Sequence, residues 1–339
     1  MGRKVVLTGM RTTGSLHLGH YVGALKQWKQ IQDAGEHECY FLLADVQALT
    51  THADNPTLLS RSVIDVTKDW LAIGLDPTLP NVHFVLQSQV PERYELSALF
   101  MMIARYSEVI RNPTLKTELK RQENASMGFI AYPVDQVADI YMVNPYPIEE
   151  DDEVLVPVGE DQVPHLEYAR DLAERFNNSY GPVFTPCQPL VGEVGRLVGI
   201  DGKAKMSKSM GNSIDLSDSA AVVKQKVMSM YTDPNHARVD DPGDSENNPV
   251  FMYLRAFDPN QEEVEELADH YRRGGVGDVA LKRRLVGVLN DFLEPIRQRR
   301  AEYEKADLGS IIFDGSHAAR QASIPVIEAV RQYMSLIIP

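Results

Sequence analysis

Cysteine is nearly absent. Only Cys39 and Cys187 occur in 339 residues, which excludes a disulfide framework and a zinc site built on cysteine. Long apolar runs are missing too, and none approaches the ~20 residues that cross a bilayer as a helix. Met1-Gly2-Arg3-Lys4-Val5-Val6-Leu7 passes at once into a strand-like run, without the apolar core of a signal peptide. A cytoplasmic chain without membrane contact is expected. Positive charge is scarce as well. With 34 Lys and Arg against 48 Asp and Glu, the net charge is -14, which argues against a nucleic-acid partner, DNA included, unless one basic face is set apart, because phosphate binding rewards clustered cations. No Gly-x-x-x-x-Gly-Lys-Ser/Thr occurs, so the P-loop route to ATP is excluded. No internal repeat is present.

The remaining composition, 43% apolar and 24% charged, is that of an ordinary globular chain, long enough for one large domain and a smaller one. Val5–Thr8, Tyr40–Ala44 and Val82–Val85 are short apolar runs bounded by turn residues, the pattern of parallel strands buried on both faces. Leu18–Ile31 and Leu58–Ile73 have apolar residues at helical spacing. Strands alternating with helices predict a doubly wound parallel sheet of the Rossmann type, with ligands at the carboxyl ends of the strands. Beyond Asn212 the pattern becomes all-helical: Ser217–Met230, Gln261–Arg273, Asp278–Glu304 and His317–Ser335, with Asp233–Pro249 as a connector. The expected division is 1–212, with a helical connective part at about 95–140, and 213–339, whose last helix packs back on the first domain. Lys282, Arg283, Arg284, Arg297, Arg299 and Arg300 crowd one helical region. They are either a basic face for nucleic acid or a solvated helix surface.

Two islands carry chemistry. Gly14-Ser15-Leu16-His17-Leu18-Gly19-His20 follows the first strand. Gly9 and Gly14 allow a tight turn and close approach of a ligand. A helix starting near His17 would direct free N–H groups and its positive dipole end at phosphate. His17 and His20, three apart, share one side of the first turn. Alone, two such histidines more often cap a helix. The second island, Lys205-Met206-Ser207-Lys208-Ser209, comes about 190 residues later in a small lysine-rich loop. Lysine is a good point charge for pyrophosphate.

In this order, the islands resemble the HIGH and KMSKS signatures of class I aminoacyl-tRNA synthetases, and the flanking sequence is similar to the tryptophanyl branch from end to end. Tyr132-Pro133-Val134-Asp135-Gln136-Val137-Ala138-Asp139-Ile140 is similar to the family's amino-acid pocket helix, with Tyr132, Gln136 and Asp139 on one face. Val156-Pro157-Val158-Gly159-Glu160-Asp161-Gln162 resembles its ribose- and substrate-contacting segment. Asn112-Pro113-Thr114-Leu115-Lys116 resembles the stretch with a phosphate-contacting lysine.

The resemblance implies activation of L-tryptophan by ATP, with Mg2+ held mainly by the phosphates and no metal site of the protein's own. Transfer to tRNA(Trp) by a homodimer follows. It assigns His17, His20, Lys205, Lys208 and Lys116 to catalysis. ATP would be held by Gly9, Arg11, Thr12, Thr13, Gly19, Gly159, Asp161, Leu197, Met206, Ser207 and Ser209. Tryptophan would be held by Leu7, Gln47, Tyr132, Gln136, Asp139, Ile140, Val156, Val158 and Gln162. Residues 213–339 would read the anticodon.

The tyrosyl branch uses a tyrosine where this chain has Leu7, so Leu7 suits an indole. Asp139 would accept from the indole N–H, which is a donor only. Without that donor the buried carboxylate costs on the order of 1–3 kcal/mol, a penalty that rejects phenylalanine. Two departures stand out: Gln47 replaces a frequent histidine, and the acidic stretch Pro145–Val154 looks inserted. It is read as a solvated loop, with a contact for a protein partner or a gate for the pocket as the alternatives. Other readings of the chain are a tryptophan-binding adapter with weak tRNA charging and a tyrosyl enzyme.

Overall fold

The computed structural model describes residues 2–120, 124–192, 197–207 and 210–336. Five parallel strands form one sheet: β1 (Lys4–Arg11), β2 (Glu38–Ala44), β3 (Val82–Leu86), β4 (Glu153–Val158) and β5 (Cys187–Val191), in the order β3-β2-β1-β4-β5. Both faces are buried, as the apolar runs predict. Val6, Phe41 and Phe84 point into one core layer, and Val5, Leu7, Leu42 and Val85 into the other. Chain order reverses between β1 and β4, which opens a crevice at their carboxyl ends. β4 and β5 were not among the predicted strands. Each carries a proline, which weakens a strand signal. Pro189 is on the edge strand, and Pro157 lies beyond Leu155, the last β4 residue paired with β1.

Helices cover both faces. After β1 come α1 (Leu18–His20), a π-helical turn at Tyr21–Leu25, and α2 (Lys26–Ala34). One continuous helix was expected here. The π turn keeps the apolar spacing, so periodicity does not reveal it, and such turns concentrate at functional sites. α3 (Asp45–His52) and α4 (Pro56–Ala72) follow. Asn55 caps α4 by accepting the Leu58 N–H at 3.1 Å, with Pro56 in the first turn. Trp28 stacks on Phe41 and Trp70 meets Phe84 edge-on, both with ring centroids 5.3 Å apart. The connective helices are α5 (Pro91–Ile103), α6 (Tyr106–Val109), α7 (Pro113–Leu119) and α8 (Met127–Tyr141), and α9 (Val163–Ser179) joins β4 to β5.

The C-terminal part holds α10 (Ala220–Met228), α11 (Pro249–Phe257), α12 (Gln261–Arg273), α13 (Asp278–Glu302) and α14 (Leu308–Tyr333). α12 has the predicted bounds. α14 starts nine residues before the expected His317, where Asp307 accepts the Ser310 N–H at 3.2 Å. α11 begins at Pro249, the last residue of the expected connector, where the sequence pattern predicts no helix.

α14 packs along β3. The Leu86 N–H donates to Ser316 Oγ at 2.9 Å, and a Cβ on Gly315 would lie 2.3 Å from the Phe84 carbonyl oxygen. Gly315→Ala is therefore expected to overpack this seam and cost about 1–3 kcal/mol. A melting temperature equal to that of wild type would mean the helix is free to move off.

The basic cluster is neither a solvated face nor an open basic surface. Lys282 is buried, and its ammonium donates to the Met230 carbonyl at 2.6 Å and Thr232 Oγ1 at 2.8 Å. Arg284 pairs with Asp258 and Glu263. Arg297 and Arg299 donate to the carbonyls of Asp218 and Ala72, and Arg300 pairs with Asp69 and Asp65. These side chains brace α13 against its neighbours, and only Arg283 of the six is exposed. Among the described residues, no helix is long and apolar enough to cross a membrane.

Candidate active site

The first island leaves the end of β1 through a turn at Gly14, whose φ of 114° is one that glycine adopts without strain. Two straps then hold the chain. On one side the Leu18 N–H donates to the Ile214 carbonyl and the Leu216 N–H to the Leu16 carbonyl, both at 2.9 Å. On the other, the Leu16 N–H donates to the buried Asp69 carboxylate at 2.8 Å. Asp69 also accepts from Arg300 Nε at 2.8 Å. Burial raises its pKa against the pull of these two donors.

The two histidines cap each other. His17 Nδ1 accepts from the His20 N–H at 3.3 Å, His20 Nδ1 accepts from the His17 N–H at 3.1 Å, and the rings stack 3.7 Å apart. This corrects one expectation, a first turn with spare N–H groups. Those of Leu18, Gly19 and His20 are taken by Ile214, Met206 and His17. Gly9 also has a different reason than expected. It lies inside β1, and a Cβ there would sit 2.5 Å from the Leu42 carbonyl oxygen of β2. The Thr12 hydroxyl is buried without a partner among the described residues, and the exposed Arg11 reaches Thr51 Oγ1 at 3.4 Å.

The second island is anchored at its base. Val198 and Lys205 form an antiparallel bridge, and the Gly199 N–H donates to the Ala204 carbonyl at 2.7 Å. Buried Asn212 accepts the Ser207 N–H at 2.7 Å and donates to Asp201 at 3.2 Å. Met206 is buried beside Leu197, and its Sδ receives the Gly19 N–H at 3.3 Å. This contact joins the two islands across 187 residues of chain. The Lys205 side chain is exposed. Lys208 and Ser209 lie outside the described residues.

Leu7, Tyr132, Ile140 and Val156 share one core layer with Val158 against it. The Tyr132 hydroxyl donates to Glu118 at 2.9 Å and lies 3.2 Å from His165 Nε2. The Asn112 amide donates to His165 Nδ1 at 3.3 Å, which assigns the proton to Nε2. Burial pushes His165 down to about 4, so it is neutral at physiological pH. Lys116 is exposed on α7, which is tied to the Glu160–Gln162 turn by Thr114 Oγ1 donating to the Asp161 carbonyl at 3.2 Å. Gly159 leaves room for Asp161, whose Oδ1 would lie 2.9 Å from an added Cβ. Gln162 is half-buried at the end of that turn, and Thr13 is half-buried beside Gly14.

Asp139 differs from the expectation. The sequence predicts a carboxylate left for one substrate donor, whereas the fold supplies two donors of its own. Arg93 Nε donates to its Oδ1 at 2.6 Å and Gln87 Nε2 to its Oδ2 at 2.8 Å. The Gln47 N–H in turn donates to Gln87 Oε1 at 3.0 Å. Burial still lifts Asp139 to about 6, the two donors opposing it. Gln87, Arg93, His165 and Asp69 had not been singled out. One signal for Arg93 existed: Asp135 and Asp139 sit i, i+4 on an otherwise apolar helix, which demands a buried cation. Which cation answers is a tertiary matter.

The acidic stretch is partly structural. Asp152 is buried and accepts from the Arg3 N–H at 2.7 Å and its guanidinium at 2.6 Å, and β4 begins at Glu153. Only residues 147–151 are exposed.

The family model for class I tRNA synthetases (W and Y) matches residues 2–294. The chain belongs to that family. It is 45% identical over 344 residues to the tryptophan–tRNA ligase of Clostridium longisporum, covering 99% of this chain and 98% of the relative. Likeness to the ligase of the same name from Streptococcus pyogenes is 43%, covering 99% of both chains. Among solved structures, the Campylobacter jejuni tryptophanyl-tRNA synthetase complexed with ADP and tryptophan superposes with a TM-score of 0.82. Identity there is 31%, over 98% of this chain and 99% of the other.

Proposed function

We propose that this protein activates L-tryptophan with ATP and transfers it to tRNA(Trp). The observation that supports the reading is the Gly19–Met206 contact, which joins the two signature islands. Leu7 and Val156 belong to one apolar core layer suited to an indole. In the first step the tryptophan carboxylate attacks the α-phosphorus of ATP, the α–β bridge breaks, and pyrophosphate leaves. In the second, a hydroxyl of the tRNA terminal ribose attacks the mixed anhydride, and AMP leaves. No protein nucleophile is required, so the chain contributes positioning and charge.

His17, His20, Lys205 and Lys208 are assigned to the phosphates, with Lys116 assisting. Because the first-turn amides are already engaged, side chains bear more of this task than helix N–H groups. Arg11, Thr12, Thr13, Gly159, Asp161, Ser207 and Ser209 are placed around the nucleotide. Gln47, Gln136, Asp139, Ile140, Val158 and Gln162 are placed around tryptophan. The Gln136 amide oxygen is buried with no partner among the described residues, an acceptor that the substrate would satisfy. Mg2+ is assigned to the ATP phosphates. Residues 213–339 are assigned to tRNA, and the subunits to a homodimer. Met101, Met102, Tyr106 and Met127 offer exposed apolar surface for such pairing.

Pyrophosphate exchange with tryptophan, tyrosine and phenylalanine tests the reading. Exchange with tryptophan alone is expected, and exchange with tyrosine would overturn the pocket assignment. Lys205→Ala is expected to lower kcat for exchange about 10²–10³-fold while equilibrium tryptophan binding holds. An unchanged kcat would remove Lys205 from the catalytic set.

A further inference from the structure

Arg93 is fully buried at the start of α5, and its guanidinium bridges two carboxylates of α8. Nε donates to Asp139 Oδ1 at 2.6 Å, and Nη2 lies 2.5 Å from Asp135 Oδ2. Asp135 is held from its other oxygen by the Ser97 hydroxyl at 2.7 Å. Gln87 holds the second oxygen of Asp139 at 2.8 Å. Arg93 Nε on one oxygen and the Gln87 amide on the other therefore fix the plane of Asp139 together, while the guanidinium, shared with Asp135, balances its charge. A carboxylate has about four lone-pair sites. With one donor on each oxygen, acceptor capacity remains.

We propose that Arg93 is a positioning residue for amino-acid selection: it compensates Asp139 and orients it so that a spare lone pair meets the indole N–H of tryptophan. This rests on the reading of Asp139 as the indole acceptor. The consequence is a rigid acceptor whose charge is already balanced, so selectivity for an N–H substrate comes from geometry more than from rescue of an orphan charge. Of the guanidinium nitrogens, Nε makes the hydrogen bond, to Asp139, while Nη1 and Nη2 are buried without one among the described residues and Nη2 meets Asp135 as an ion pair.

The experiment uses the full chain as Arg93→Met, Arg93→Lys and Asp139→Asn. Pyrophosphate exchange is measured with tryptophan and with 1-methyltryptophan, which lacks the indole N–H. Arg93→Met is expected to raise KM for tryptophan tenfold or more and shrink the preference over 1-methyltryptophan at least fivefold. Its kcat should stay within threefold of wild type and its KM for ATP unchanged. Arg93→Lys is expected to recover KM in part and the preference less. A preference equal to wild type in both Arg93 variants would overturn the proposal, as would equal losses in kcat and in both KM values. If Arg93→Met does not fold, Arg93→Lys decides, a retained preference again overturning it. Should Asp139→Asn leave KM and preference untouched, the reading of Asp139 itself fails. A response to Asp139→Asn without one to Arg93 substitution sinks only the positioning role.

Discussion

Asp69→Ala is expected to destabilise the protein by about 3–5 kcal/mol, the cost of breaking a buried ion pair by removing one partner. It should also raise KM for ATP more than KM for tryptophan. Asp69 has no exposed side-chain surface, and its two oxygens serve different parts of the molecule: one receives Arg300 of α13, the other the Leu16 N–H of the first island. Its removal strands the Arg300 guanidinium, which keeps Asp65 at 3.3 Å and Glu304 at 3.3 Å as weaker partners. It also strands a buried backbone N–H one residue before His17. The strap from Ile214 and Leu216 remains, so the island loosens on one side only. Denaturant unfolding and exchange kinetics at varied ATP test both halves. A loss under 1 kcal/mol would show that Asp65 replaces Asp69, and equal changes in the two KM values would dissociate Asp69 from the nucleotide loop.

The second large effect is a pH dependence of tryptophan recognition. Burial places Asp139 at about 6, above the ordinary carboxylate value of 3.8. Because the folded value is the higher one, the native state holds more protons than the unfolded chain between those pH values. The site's contribution to stability is therefore greatest in acid and declines as pH rises through about 6. Binding moves the other way, since the protonated carboxyl is a poorer acceptor. KM for tryptophan is expected to climb about tenfold per pH unit below 6, and the climb should vanish in Asp139→Asn. His165 gives the opposite stability trend. Held down to about 4, it stays neutral in the fold while the unfolded chain protonates, so its contribution is lost as pH falls from 6.5 toward 4. Comparing melting temperature with pH in wild type and Asp139→Asn separates the two. A flat KM in both would deny Asp139 its role as acceptor.

Much of this arrangement is legible along the chain. Alternating apolar runs report a sheet buried on both faces, and Val5–Thr8, Tyr40–Ala44 and Val82–Val85 all lie within observed strands. The 3.6-residue spacing and flanking turn residues place α12 to the residue, because its amphipathic face needs only to be buried somewhere. Pro157 and Pro189 hid β4 and β5, and the π turn at Tyr21–Leu25 was invisible because it preserves an apolar face. The islands themselves are local, so the family resemblance that they carry as a pair is legible before any fold is known.

Periodicity determined β1 to β3 and the helical character of the second half, and the resemblance of the motifs named the residues for ATP and an indole. Tertiary structure decided who meets whom. Met206 lands on Gly19 across 187 residues, and Arg93 answers Asp139 across 46. Arg300 reaches Asp69 across 231, which turns an apparent basic surface into an internal brace. The physical reason is one of reach. A side chain's burial follows from its immediate neighbours in sequence, whereas the partner of a buried charge is chosen by packing, and any of several arginines would have satisfied the sequence equally well.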